Sequence, residues 1–400
     1  MKSRTLVVVT ALVLALLAPV AASASSARIA GLSVPSDLVR DEVGSFTYLS
    51  ALASQGNLLW VEPGNGGNEG AGAVLQNLWG GRHGTWAVSV RRFAPALGQA
   101  MYLDPIGPSG LPPFTFMSDP NTTGQSLDLS WARAFGNRTL GLRYQRSYQS
   151  RQTAAGTTKG NGSDSRNVNG FAAGLGFPFH GHDHEVAVHW QHRTFQGTNA
   201  ATPDVAGSTG GTSWLVAARR FQKGSDGVTW IPAVKAYQFN LDRDDAAGAL
   251  RKLQYSGWQV GLAGNWTLSS DDLFVFGAQF ASNRRDQIDP TATFKRTENL
   301  SPAVFMALES KVQPWLTLRF GARNTLFHNV KDDNSGPLTP PSSTGRFDTF
   351  AFNMGASVKL GTLTLDAVLA PDFYDAPVNA VLNDGLGTSP FPQVSVGYAF

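Results

Sequence analysis

From Asn57 to the last residue, large apolar side chains alternate with small or polar ones at a period of two. At this spacing a β-strand turns successive side chains to opposite faces. In Leu140-Gly141-Leu142-Arg143-Tyr144-Gln145 the leucines and the tyrosine share one parity, and Gly, Arg and Gln the other. Trp258, Val260, Leu262 and Trp266 alternate with Gln259, Gly261, Ala263 and Asn265. Leu316, Leu318 and Phe320 alternate with Thr317, Arg319, Gly321 and Arg323, and Phe350, Phe352, Met354 and Val358 with Ala351, Asn353, Gly355 and Ser357. Each predicted strand therefore has one apolar face and one face of glycine, amide and charge.

The connections between these strands sort into two lengths. Tight ones fall near Gly80-His83, Gly136-Asn137, His180-His184, Lys223-Asp226, Ser269-Asp271, Val312-Gln313 and Gly361. Longer polar ones fall near Pro63-Gly72, Pro95-Gly124, Ser150-Ser165, Gly197-Gly211, Asp242-Gly248, Asp286-Phe294, Val330-Arg346 and Pro371-Pro392. Their strict alternation predicts hairpins with short turns at one end and long loops at the other. With Asn57-Glu62 as the first strand and Gln393-Phe400 as the last, the pattern holds about sixteen strands. If the short segments Asn57-Glu62 and Ala73-Gly80 fold inward, about fourteen remain. A soluble sheet also alternates, so parity alone does not name the medium outside. A propeller would repeat a blade motif at a fixed period, and none is found.

The two ends of the chain point to a membrane. Lys2 and Arg4 precede an apolar run from Leu6 to Ala18, and Ala22-Ser23-Ala24 is a small-x-small cleavage pattern. This is the form of a secretory signal peptide, with 1–24 removed and Ser25 as the mature start. At the other end, Val394-Ser395-Val396-Gly397-Tyr398-Ala399-Phe400 alternates up to a closing aromatic. This terminus resembles the final strand of Gram-negative outer-membrane β-barrel proteins, in which positions like Val396, Tyr398 and Phe400 form an assembly signal. The resemblance implies an all-β fold, a transmembrane antiparallel barrel over 56–400, with the barrel-assembly machinery, outer-membrane lipid and a small-molecule solute as partners. Residues 25–55 lack strand alternation; Asp41-Leu52 suits one short helix, and the segment reads as periplasmic or as a plug in the barrel mouth. That plug and an apolar loop also resemble transporters of hydrophobic molecules of the fatty-acid type. Their Asn-Pro-Ala is missing, with Leu49-Ser50-Ala51-Leu52 in the comparable stretch.

Composition narrows this further. The chain holds no cysteine, which excludes a disulfide scaffold and thiolate metal sites. Charged residues make up 15%, against about 25% in ordinary globular domains, and the 43 glycines exceed the usual ~7%. The formal charge of +3 gives no support for a nucleic-acid partner. Several tryptophans, Trp86, Trp131, Trp230, Trp266 and Trp315, fall at predicted strand ends, as interface girdles do.

Parity places Arg91, Asp128, Arg143, His189, Arg193, Arg285, Arg319, Arg323 and Asp366 on the inner face. Basic groups outnumber acidic ones there, so an open pore lined by them would favour anionic solutes; the same arginines also suit pairing with plug carboxylates. His180-Gly181-His182-Asp183-His184 places imidazoles and a carboxylate in one turn, a weak metal-binding pattern with no distant ligand. No metal or other cofactor is expected. The loop Pro95-Gly124, with Met101, Tyr102, Leu103, Ile106, Phe114, Phe116 and Met117, is long and apolar enough to fold inward as a constriction. No serine lies in a G-x-S-x-G setting and no catalytic residue emerges, so an enzyme is not expected. The first expectation is thus a passive outer-membrane channel for small solutes. The alternatives are a gated transporter of hydrophobic molecules and a non-conducting scaffold or adhesin.

Overall fold

The computed structural model describes residues 26–41, 43–63, 70–76, 82–91, 126–153, 162–198, 206–224, 227–244, 250–288, 293–336, 342–369, 391 and 393–400. The apolar loop 95–124, the leader 1–24, Ser25 and most of the 371–392 connection lie outside the described residues.

Among the described residues the strands are β1 (Leu58–Glu62), β2 (Gly70–Leu75), β3 (Thr85–Arg91), β4 (Ser126–Phe135), β5 (Arg138–Thr153), β6 (Gly162–Phe179), β7 (His182–Thr198) and β8 (Ala206–Lys223). They continue as β9 (Val228–Asp244), β10 (Leu250–Thr267), β11 (Asp272–Ile288), β12 (Thr293–Gln313), β13 (Leu316–Ser335), β14 (Ser343–Leu360), β15 (Leu363–Leu369) and β16 (Gln393–Ala399). Each pairs antiparallel with its sequence neighbours, and β1 pairs with β16, closing a sixteen-strand barrel. Closure satisfies the backbone without a free edge, which a wall in hydrocarbon requires. The seam is thin, with four residue pairs from Leu58↔Ala399 to Val61↔Val396.

The apolar parity faces out. Leu142 and Tyr144, Trp258, Val260 and Leu262, and Met306 and Leu308 are exposed on the outer wall, while Gln145, Gln259, Ala263, Arg319 and Arg323 are buried on the inner one. Water would oppose such an outer surface; lipid accommodates it. Trp86, Trp131, Trp230 and Trp266 all lie near the short-turn end, with Trp315 in the β12–β13 turn itself. Trp190, Trp214 and Trp258 lie eight or nine residues further along their strands. At about 3.4 Å per residue that separates the two aromatic belts by roughly 27 Å of strand, which a tilt of about 35–45° reduces to about 19–22 Å along the membrane normal, somewhat less than the ~25 Å apolar band of a membrane barrel. Strands β6 to β14, of 17 to 21 residues, continue well past the second belt. Among the described residues β1, β2, β3, β15 and β16 span 5 to 7 residues.

The N-terminal segment lies inside this wall. In place of one helix over 41–52, it forms α1 (Ser26–Leu32) and three short 3₁₀ turns, Ser36–Leu38, Val43–Phe46 and Leu49–Ser54. The difference has a local cause. Gly44 lies within 41–52 and weakens a helix there, so the chain takes tight turns that follow the curved wall.

Candidate functional site

Ile29, Leu32, Val34, Leu38, Val39 and Val43 of the segment form one apolar core with Phe221, Ile231, Ala263, Val275, Phe305 and Ala307 of the wall. Tyr48 sits in a second cluster with Leu215, Tyr237 and Tyr255, and Leu52 in a third with Leu58, Val74 and Ala132. The short-turn half of the lumen is thus a packed core and not a water column. Two glycines make the contact close enough. A Cβ at Gly321 would collide with the Leu32 carbonyl group, and one at Gly141 with that of Leu49. The segment's backbone therefore rests directly on the wall, a fit that only glycine allows.

Polar groups then clamp the seated segment. Arg28 donates to Glu309 through Nε and Nη2, both at 2.8 Å. Glu309 also accepts from Arg319 Nε at 2.6 Å, and Arg319 Nη1 reaches Asp366 at 2.7 Å. Asp37 pairs with Lys235 at 2.5 Å, both buried. Arg219 donates to Glu185 at 2.6 Å and to the carbonyls of Ser36 at 3.3 Å and Val39 at 3.2 Å. Its guanidinium also lies 4.1 Å over the Tyr48 ring. Arg143 donates to the Phe46 carbonyl at 3.0 Å and contacts His189 Nδ1 at 2.9 Å, while His189 Nε2 lies 2.8 Å from the Thr47 carbonyl. Because arginine only donates and a carbonyl only accepts, His189 here is the neutral tautomer with its proton on Nε2.

Asp41 accepts the Gly44 N–H at 2.7 Å. Burial raises its pKa to about 6, against the opposing pull of Arg28, that N–H and Arg219. The Tyr48 phenol is pushed well above its ordinary value, chiefly by burial and secondly by Asp37.

The inner-face assignments fall into distinct groups. Arg143, His189, Arg319 and Asp366 come together around the segment, Arg319 and Asp366 in one ion-pair chain and Arg143 and His189 in another cluster. Arg323 and Asp128 are buried on the inner wall and Arg285 is half-buried. Arg91 and Arg193 lie in β3 and β7, with side chains outside the described set. Val396 and Tyr398 face outward beside Phe400, whose ring stacks on Tyr398 at 6.3 Å. In the histidine turn, His180 and Gly181 both take positive φ, 49° and 75°, which a two-residue hairpin of this hand requires. His184 stacks on Phe177 at 5.4 Å, and among the described residues no three His, Asp or Glu side chains converge on a metal position.

The sequence reading did not single out Arg28, Asp37, Glu185, Arg219, Lys235 or Glu309. Parity places Glu185, Arg219, Lys235 and Glu309 on the inner face. That was the available signal, and the opposite charges Arg28, Asp37 and Asp41 of the segment were its complement.

Two cavities flank the segment. One, of about 810 Å³, is a charged vestibule at the short-turn mouth, with Arg28, Arg40, Asp41, Glu185, Arg219 and Glu309 on its walls. The other, of about 60 Å³, lies between the segment and β1–β4, with Val43, Phe46, Leu52, Leu58, Trp60 and Val74 as its apolar lining. Phe46 and Trp60 meet edge to face at 6.1 Å there.

A closed antiparallel wall, apolar outside and belted by aromatics, settles the class. The chain is an outer-membrane-type β-barrel. No family model matches it, and no curated protein does either. Among solved structures, the siderophore receptor PiuA from Acinetobacter baumannii is 11% identical, with a TM-score of 0.43 over 86% of this chain and 63% of that one. The ferric preacinetobactin receptor BauA from the same organism is 11% identical, with a TM-score of 0.44 over 78% of this chain and 53% of that one. The toluene transporter TodX from Pseudomonas putida is 9% identical, with a TM-score of 0.39 over 94% and 96%. The barrel thus spans less than two thirds of the length of the two receptors. At these values the likeness is one of architecture, and no site residue carries across.

Proposed function

We propose that this barrel is a gated transporter of small apolar or amphipathic molecules in a Gram-negative outer membrane, with residues 26–54 as its gate. The observation that carries the reading is the filled lumen: an apolar core, glycine seats and buried ion pairs hold the segment across the short-turn half. An always-open diffusion pore is the less favoured reading, because two of the inward arginines that would select anions are engaged, Arg143 with the segment and Arg319 with Glu309 and Asp366. The apolar cavity beside Phe46 and Trp60 supports an apolar solute. In this reading 1–24 is an export signal cut before Ser25, the Val396, Tyr398 and Phe400 strand is read by the assembly machinery, lipid surrounds the barrel, and no catalytic step is assigned.

The chain lacks cysteine, so introduced thiols report without background. Ser33 and Asn353 are hydrogen-bonded at 2.7 Å across the segment–wall contact. With Ser33→Cys and Asn353→Cys joined by a reducible cross-linker, uptake of a small apolar solute is expected to stop and to return on reduction. Uptake that continues through the cross-linked protein would remove the segment from the role of gate.

A further inference from the structure

We propose that the inner wall at Asp128 is a binding site for a small protonated amine of the short-chain alkylammonium class. The site deepens the gated-transport reading and rests on it for the route by which such a solute arrives.

Cross-strand pairing sets Ser89, Asp128, Gln145, Gly170, Gln191 and Ser213 side by side on one inner-face row from β3 to β8. Gly170 leaves a gap, and through it Gln191 Nε2 crosses to Gln145 Oε1 at 2.7 Å. That bond fixes the Gln145 amide with its Nε2 as the remaining donor. Asp128, Gln145 and Ser213 are almost wholly buried, as is Ser126 two residues from Asp128 on the same face. Yet both carboxylate oxygens of Asp128, the Nε2 of Gln145 and the hydroxyls of Ser126 and Ser213 have no hydrogen-bond partner. A buried polar atom left without a partner costs about 1–3 kcal/mol, and a charged one more, so the orphaned Asp128 carboxylate with the Ser126 hydroxyl beside it is a place built for a guest.

The chemistry of the row selects that guest. Two orphaned carboxylate oxygens need donors and a positive charge, and an ammonium supplies three N–H groups and the charge. The Ser126 hydroxyl, two residues along the same face, accepts from the same group. Beside the row lies the apolar cavity of about 60 Å³, whose lining includes Ser89, opposite Asp128, and Ser130, two residues along on the same face. By the same measure one water needs about 10–15 Å³, so the cavity holds on the order of four non-hydrogen atoms. An ethyl or propyl chain fits that room against Val74, Ala87 and Trp60. The two carboxylates that line the cavity are occupied: Glu62 accepts from Ser26 N and from the hydroxyls of Ser26 and Ser395, and Asp366 accepts from Arg319. Asp128, beside the cavity and between its lining residues Ser89 and Ser130, is the carboxylate left without a partner.

Titration calorimetry of the refolded, heat-modifiable barrel with ethylammonium tests the site, with ethanol as the neutral probe of matching size. Saturable ethylammonium binding that falls at least tenfold in Asp128→Asn and several-fold in Ser126→Ala, with no binding of ethanol, is the expected result. Binding unchanged in a folded Asp128→Asn barrel, equal uptake of ethanol, or no saturable binding at all would overturn the assignment. Failure here is separable from failure of the gate. A barrel that binds ethylammonium but transports through a cross-linked segment loses only the gate, and one that gates but ignores ethylammonium loses only this site.

Discussion

Replacing Gly321 by valine removes one of the two seats on which the plug rests. A Cβ at this position would lie deep inside van der Waals contact with the Leu32 carbonyl carbon and oxygen, and 2.8 Å from Ser33 N. Ordinary carbon contacts need about 3.5–4.0 Å, so α1 must retreat by roughly 1 Å or more. Overpacking of this kind costs about 1–3 kcal/mol. The retreat also strains two bonds from Asn353 Nδ2, to Ser33 Oγ at 2.7 Å and to the Ala30 carbonyl at 3.1 Å, worth about 1 kcal/mol each. A combined loss of about 3–5 kcal/mol shifts the ratio of seated to displaced plug by roughly two to four decades. Single-channel recording of the folded variant in a planar bilayer is expected to show openings that the parent protein rarely makes, and a protease added from the short-turn side should cut the 26–54 segment faster. Gly210→Ala is the control, since a Cβ there meets nothing within 4 Å. A folded Gly321→Val barrel that stays as silent and as protease-resistant as the parent would refute the idea that close seating holds the gate shut.

Other consequences follow from the same geometry. Arg219→Leu leaves Glu185 buried without its partner, at about 3–5 kcal/mol, so the heat-modifiable transition should move down, and adding Glu185→Leu should recover much of the loss; a double variant as unstable as the single one would contradict a paired clamp. Because burial holds Asp41 near pKa 6 in the seated plug, above its ordinary 3.8, the seated state takes up a proton as pH falls through 6. Seating is therefore favoured on acidification from pH 7 toward pH 4 and disfavoured above 6, by at most about 3 kcal/mol before water in the vestibule screens it. Asp41→Asn should flatten that part of the pH dependence of channel opening; an unchanged profile would clear Asp41 of the role. Amide hydrogen exchange should be fastest at β1 and β16, joined by four residue pairs, and slowest at β10 to β13; uniform protection around the wall would count against a weak seam.

Much of the wall was legible from period two alone. Strand count, the alternation of turn lengths and the inward placement of Arg143, Arg319, Arg323 and Asp366 follow from parity, because a strand has only two faces. The second strand was read at Ala73-Gly80 and is found at Gly70–Leu75, since short apolar runs such as Ala71-Gly72-Ala73-Val74 fix a strand's existence better than its limits. The plug was legible only as a break in the pattern. Its helix over Ser26–Leu32 went unread, because a seven-residue helix packed on all sides has no amphipathic period to detect. Parity also says which face a side chain takes but not what lies opposite, so Arg143 could be placed inside without showing that it holds the Phe46 carbonyl.

That distinction decides how the charged interior is understood. Nine inward positions with a basic excess suggest a field that attracts anions, if each charge faces water. In the folded chain the sum is the wrong quantity. Arg319 is shared between Glu309 and Asp366, Arg219 is spent on Glu185 and two plug carbonyls, and Lys235 on Asp37, so these cations act as fasteners and not as an open ring. Ion pairs of this kind add little net stability against apolar packing, yet they make displacement costly one partner at a time. A gate needs that property: an apolar core alone would slide along the wall, whereas paired charges fix one register in which Arg28 meets Glu309 and Asp37 meets Lys235. Opening must then exchange all of these partners together, which makes it a two-state event that a solute or a pH change can bias.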